Sequence, residues 1–162
     1  MWDATIKGFK AWLQLEKSLS DHSVEAYLHD VDLLVQYLQL HKIAASPDAI
    51  TTDHLTNFIK WIHELGMAPT SQARLISGLR SFYKFCLLEQ LSTTDPTVLI
   101  EAPKLSRTLP DTLSFSEIEQ IIGAIDLSLP EGIRNKAMLE TMYSCGLRVT
   151  ETVQLKMSSL YL

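Results

Sequence analysis

Residues 71–88 read SQARLISGLRSFYKFCLL, and their periodicity decides the fold class. Leu75, Ile76, Leu79, Phe82, Tyr83 and Cys86 recur with the helical period, which at about 100° per residue gathers them on one side of an amphipathic helix. Arg74, Ser77, Gly78, Ser81 and Lys84 line the opposite face, with Arg80 at its flank. The helix is expected to run from about Ser71, just after Pro69, to Leu88.

The chain before this stretch carries the same signature three times. Trp2, Ile6, Phe9 and Leu13 share one helical face. Ser20 and Ser23 offer N-caps for a second helix, whose stripe is Val24, Tyr27, Leu28, Val31, Leu34, Val35 and Leu38 and whose outer face carries Glu25, His29, Asp32 and Gln36. Thr51, Thr52 or Asp53 caps a third, through Leu55, Phe58, Ile59 and Ile62, that ends at Gly66. Four amphipathic helices with short connections predict an all-α bundle over residues 1–91.

Downstream the character changes. Residues 92–111, STTDPTVLIEAPKLSRTLPD, hold three prolines and no sustained period, the pattern of an extended interdomain linker. Ser114 and Glu117 then form a capping-box pattern before Ile118, Ile121, Ile122 and Ile125. A further helix is expected from Gly132 to Ser144, stopping at Gly146, and a short one from Val149, with Thr150 near its start.

Composition excludes several classes. Hydrophobic residues are 46% and charged residues 20% of the 162, which excludes a disordered or fibrous chain. The N-terminal stretch MWDATIKGFKAWLQLEK scatters charge through its apolar residues, so it reads neither as a secretory signal nor as a membrane span, and the cytoplasm is the expected location. Cys86 and Cys145 lie far apart among apolar residues and are expected as reduced, buried thiols. His22 and His29 do not share a face for metal binding, and no metal or cofactor is implied.

A net charge of −5 argues against indiscriminate nucleic-acid binding, so any such contact must be a local patch. The patch at hand is residues 66–88, which contain no acidic residue but hold Arg74, Arg80 and Lys84. Small serines between long cations let a helix backbone approach a groove while the cations reach phosphates, and Ser71 and Gln72 add neutral donors near the helix N-terminus. Charge pattern alone favours a merely solvated helix face, and a helical protein–protein adaptor stays open as the alternative. The second helix carries Asp21, Glu25, Asp30 and Asp32, so only its N-terminal His22, Ser23, Ala26 and Tyr27 region suits DNA.

Four stretches, in order, resemble the tyrosine recombinase family, most closely its Xer-type branch. SVEAYLHDVDLLVQYL (23–38) resembles the family's second N-terminal helix, and SQARLISGLRSFYKFCLLEQLSTTDP (71–96) its fourth helix and exit. APKLSRTLPDTLSFSEIEQII (102–122) is similar to the linker and catalytic-domain entry, and RNKAMLETMYSCGLRVTETVQL (134–155) resembles the motif of the first catalytic arginine. The resemblance implies a four-helix core-binding (SAM-like) domain over 1–91, a linker over 92–111 and the incomplete N-terminal part of a catalytic domain over 112–162.

It also implies chemistry and partners. Such an enzyme breaks and rejoins double-stranded DNA through a phosphotyrosyl intermediate, as a tetramer of recombinase subunits on paired sites, without a cofactor. Arg148 matches the first arginine, whose planar fork would hold a phosphate oxygen, and Glu151 matches its acidic support. Helices two and four are the implied DNA-facing pair, which favours Ser71, Gln72, Arg74, Ser77, Arg80, Ser81 and Lys84 with His22, Ser23 and Tyr27; Lys104 and Arg107 become linker phosphate contacts. The family's lysine, His-x-x-Arg and nucleophilic tyrosine follow the arginine motif, and Tyr27, Tyr37, Tyr83, Tyr143 and Tyr161 all lie in the wrong context to replace the last. The expectation is therefore an N-terminal piece that binds DNA without cleaving it, with exposed, disordered or self-associated C-terminal helices. Chromosome-dimer resolution is the expected role, and phage or mobile-element integration the alternative.

Overall fold

The computed structural model describes residues 2–105 and 111–159, apart from the Met157 side chain. Arg107 and Tyr161 lie outside the described residues. The helices are α1 (Trp2–Leu15), α2 (Asp21–Leu40), α3 (Thr52–Glu64), α4 (Pro69–Leu88), α5 (Phe115–Gly123), α6 (Pro130–Cys145) and α7 (Val149–Val153), with short 3₁₀ turns at Pro47–Ala49 and Met157–Ser159. No strand occurs among the described residues. The chain divides into two compact units, residues 1–107 and 108–162.

In the first unit α4 is the organising element, packing against α1, α2 and α3. Its stripe is what the others cover: Leu75, Ile76, Leu79, Phe82, Tyr83 and Cys86 are all buried. The Phe82 ring meets Phe9 of α1 edge-on at 5.3 Å, and Leu34 of α2 and Phe58 of α3 are fully buried in the same core. Each such aromatic or branched side chain stabilises the bundle by about 1.5–3 kcal/mol on transfer from water. The buried Cys86 thiol is pushed up to about 12, chiefly by desolvation, and stays protonated.

Local chemistry sets the helix ends. Ser20 caps α2 by accepting from the Ser23 amide. Thr51, rather than Thr52 or Asp53, caps α3: its hydroxyl accepts from the His54 amide while His54 Nδ1 accepts from the Thr51 amide. Gly66 follows α3 with φ +83°, the left-handed turn that glycine adopts without strain. α4 begins at Pro69, two residues before the expected start, because proline's fixed φ and missing N–H suit the first helical position.

The segment expected as a linker from Ser92 is partly built into this unit. Thr97 donates its amide and hydroxyl to Asp95, Thr52 of α3 donates to the Pro96 carbonyl, and Ile100 is buried in the core. Extended, exposed chain begins only after Ile100, where Lys104 lies.

In the second unit α5 packs on α6 and α6 on α7. The Ser114–Glu117 capping box starts α5, the Glu117 carboxylate accepting from the Ser114 amide at 2.8 Å. Gly146 closes α6 in the left-handed conformation at φ 64°. Among its described residues no apolar side chain is buried, and Phe115, Ile121, Leu139 and Tyr143 are all exposed. Cys145, expected as a buried thiol, is exposed: it ends α6, and among the described residues of this unit no apolar side chain is buried.

Candidate nucleic-acid interface and the arginine motif

α2 and α4 pack against one another, and their N-terminal halves enclose a notch of about 190 Å³ lined by Ser23, Ala26, Tyr27, Asp30, Arg74 and Ser77. The stripes of the two helices face the core, so this notch opens beside the seam. Ser23 and Tyr27 are half-buried at its α2 wall, and Ser77 is exposed at its α4 wall. Ser71, Ser77 and Lys84 stand exposed along α4, with Ser81 half-buried among them. His22 is exposed at the start of α2, 3.9 Å from Glu25.

Three residues read as nucleic-acid contacts have partners within the bundle. Arg74 reaches across to α2 and donates two parallel hydrogen bonds to Asp30, Nη1 to Oδ2 at 2.8 Å and Nη2 to Oδ1 at 2.7 Å, with a longer one to the Ala26 carbonyl. Its side chain remains 51% exposed, whereas that of Asp30 is 1% exposed. Gln72 is buried: its amide nitrogen donates to the Met67 carbonyl at 2.7 Å and meets His63 Nδ1 at 3.1 Å, tying the α3–α4 turn together. Arg80 donates to the Ile100 carbonyl and so pins the segment that leaves the bundle. In each case a residue outside α4 presents an acceptor that a helical wheel of α4 does not contain.

Asp30 is the residue of this notch that a helical wheel does not reveal. One of four acids on α2, it lies at the flank of the apolar stripe and is fully buried. Burial pushes its carboxyl pKa up, and the Arg74 guanidinium pulls it back. Gly78 makes room for it: a Cβ at position 78 would run into the Asp30 carboxylate. The signal available was a glycine in the middle of α4 on a face of serines and cations, since an interior glycine costs about 1 kcal/mol relative to alanine and marks a close approach.

Arg148 occupies the N-cap of α7. Its amide donates to Glu151 Oε2 at 2.7 Å and its Nη1 to Glu151 Oε1 at 3.1 Å, while its carbonyl accepts from the Thr152 hydroxyl. The Glu151 carboxyl pKa is lowered, first by the Arg148 amide and then by the guanidinium hydrogen bond. One carboxylate thus fixes both the backbone and the side chain of Arg148. The guanidinium is 83% exposed, so its remaining N–H groups face solvent.

Two family models match the chain in succession: phage integrase N-terminal SAM-like domain over residues 6–90, and phage integrase family over residues 111–162. The first covers the α1–α4 bundle, and the second begins just before α5. The chain belongs to the phage integrase family of tyrosine recombinases.

Curated relatives agree with this tyrosine recombinase assignment. The chain is 41% identical over 150 residues to tyrosine recombinase XerD of Pseudomonas putida, covering 93% of this chain and 50% of that protein. It is 36% identical to the XerD proteins of Listeria innocua, over 97% of this chain and 53% of that one, and Oceanobacillus iheyensis, over 100% and 54%. The chain therefore spans about half the length of the curated relatives it matches. Among the described residues no group of three or more His, Cys, Asp or Glu side chains could hold a metal ion, and no helix is long and apolar enough to cross a membrane.

Proposed function

We propose that this tyrosine recombinase chain grips duplex DNA through the α2–α4 face. The observation that carries the reading is the row of exposed Ser71, Ser77 and Lys84 with half-buried Ser81 on an α4 without acidic residues, beside the His22–Ser23–Tyr27 end of α2. Small hydroxyls permit close approach of the backbone to the duplex, and Lys84 supplies a phosphate partner. Lys104, exposed after the bundle, and Arg107 extend the contact along the phosphates. The test is fluorescence anisotropy of the chain with a labelled 30-base-pair duplex across a salt series: affinity should fall linearly in log–log form, by about 0.9 per phosphate neutralised. Affinity independent of salt would favour a protein-binding adaptor.

In the whole recombinase, Arg148 is the first transition-state arginine, held by Glu151 and donating to a nonbridging oxygen of the attacked phosphate. A tyrosine attack forms the protein–DNA bond and conserves the phosphodiester energy, in a tetramer on paired sites. The resemblance to the Xer-type branch favours chromosome-dimer resolution over mobile-element integration. The 162 residues bind without cleaving, because one arginine cannot supply nucleophile and clamp together. A nicked suicide substrate decides this: a covalent protein–DNA adduct with these residues alone would overturn it.

A further inference from the structure

Arg74 is central on the α4 face and 51% exposed, yet both ends of its guanidinium fork are engaged by a buried carboxylate. A bidentate pair of this kind is close to neutral as seen from outside. We infer that Asp30 is a positioning residue for DNA binding: it fixes the crossing of α2 on α4 at the notch and removes Arg74 from the set of cations that release counterions. The inference rests on the DNA-binding reading above.

Three features point the same way. The Asp30 carboxylate lies against Gly78, so a side chain of α2 rests directly on the α4 backbone beside the notch. The Ala26 carbonyl, one turn before Asp30, also accepts from Arg74, which ties the start of the α2 face to α4. Ser23, Tyr27 and Ser77, the neutral groups at the mouth, are thereby held in register across the seam. Arg74 contributes geometry and a neutralised fork, while Lys84 contributes net charge.

The consequence is opposite to that of a surface arginine. Removing a phosphate-neutralising cation flattens the salt slope by about 0.9 log unit per log unit of salt. Lys84→Ala should do this, but Arg74→Ala should leave the slope within error of the unmodified chain, because Arg74 neutralises Asp30 rather than a phosphate. Asp30→Asn, nearly isosteric, should instead steepen the slope by about 0.9, since it exposes an uncompensated guanidinium to the duplex; over a fourfold rise in salt that is an extra loss of affinity of about 3.5-fold. The neutral double variant Asp30→Asn/Arg74→Gln should return the slope to that of the unmodified chain.

The experiment is the anisotropy salt series on the four variants and the unmodified chain, with a thermal melt of each to show that it is folded at the assay temperature. A structural role alone would lower melting temperatures without changing slopes. Arg74→Ala flattening the slope as much as Lys84→Ala would overturn the inference and leave the DNA reading standing; an unmodified chain with no salt-dependent binding would overturn both. If the Asp30 and Arg74 variants fail to fold, ¹⁵N spectra of the arginine side chains in the unmodified chain decide. The Arg74 Nη signals should stay slowly exchanging and unshifted when duplex is added, and a large shift would refute the inference.

Discussion

Gly78→Ala puts the α2–α4 crossing to its most direct test. In an isolated helix this change would stabilise by about 1 kcal/mol, because glycine is the poorer helix former. Here the new methyl group meets the Asp30 carboxylate and its Cβ, and that side chain cannot swing away without leaving Arg74. Overpacking of a filled site costs about 1–3 kcal/mol. Breaking a buried pair costs about 3–5 kcal/mol when both charges are buried, but Arg74 is half exposed and recovers solvation, so about 1–2 kcal/mol is the appropriate share. Set against the helix gain, the net destabilisation is about 1–4 kcal/mol, centred on about 2.5 kcal/mol.

Urea unfolding followed by circular dichroism at 222 nm measures this. With a slope of about 1–1.5 kcal/mol per molar urea, suited to a unit of this size, the midpoint should drop by about 2 M at unchanged slope. Asp30→Ala/Gly78→Ala should be less destabilised than the two single changes together, because removing the carboxylate opens the space that the methyl needs. A Gly78→Ala chain as stable as the unmodified one, or more stable, would refute the close approach and with it the account of the crossing.

Other expected outcomes follow from the same geometry. The Asp30 pKa is raised above its ordinary 3.8, so protonation favours the folded state: that contribution is full below 3.8 and is lost as pH rises through the folded value. Arg74→Ala removes the groups that pull this pKa down, so the window extends upward, and the destabilisation caused by Arg74→Ala should be smaller at pH 5 than at pH 7 in urea melts; an equal cost at both pH values would contradict it. For Glu151, whose pKa lies below the ordinary 4.5, the Arg148 amide proton should report a titration below that value by NMR and lose it in Glu151→Gln. A disulfide-exchange reagent at pH 8 should modify one thiol per native chain, the exposed Cys145, with Cys86 reacting only in denaturant; two fast thiols would rule out the burial of Cys86.

Helical identity was legible at nearly every element because it depends on local periodicity. The stripe Leu75, Leu79, Phe82 and Cys86, the Ser114–Glu117 box and the glycines after α3 and α6 each rest on residues within two turns of one another. The start of α4 was misplaced only by reading Pro69 as a break rather than as a first helical residue. The family motif around Arg148 was equally local, and Glu151 sits three residues from the arginine it holds.

What the sequence could not determine is which polar groups on those helices are spent inside the molecule. Arg74 and Asp30 are 44 residues apart, Arg80 and the Ile100 carbonyl 20, and Gln72 and His63 nine across a turn. A helical wheel assigns each of these side chains an angle but not a neighbour, and a half-buried cation looks the same on it as a solvated one. Tertiary packing made the decision because a buried carboxylate is costly without a partner, so once α2 crosses α4 at Gly78 the Asp30 carboxylate takes up the Arg74 fork, leaving Lys84 and the serines to face outward.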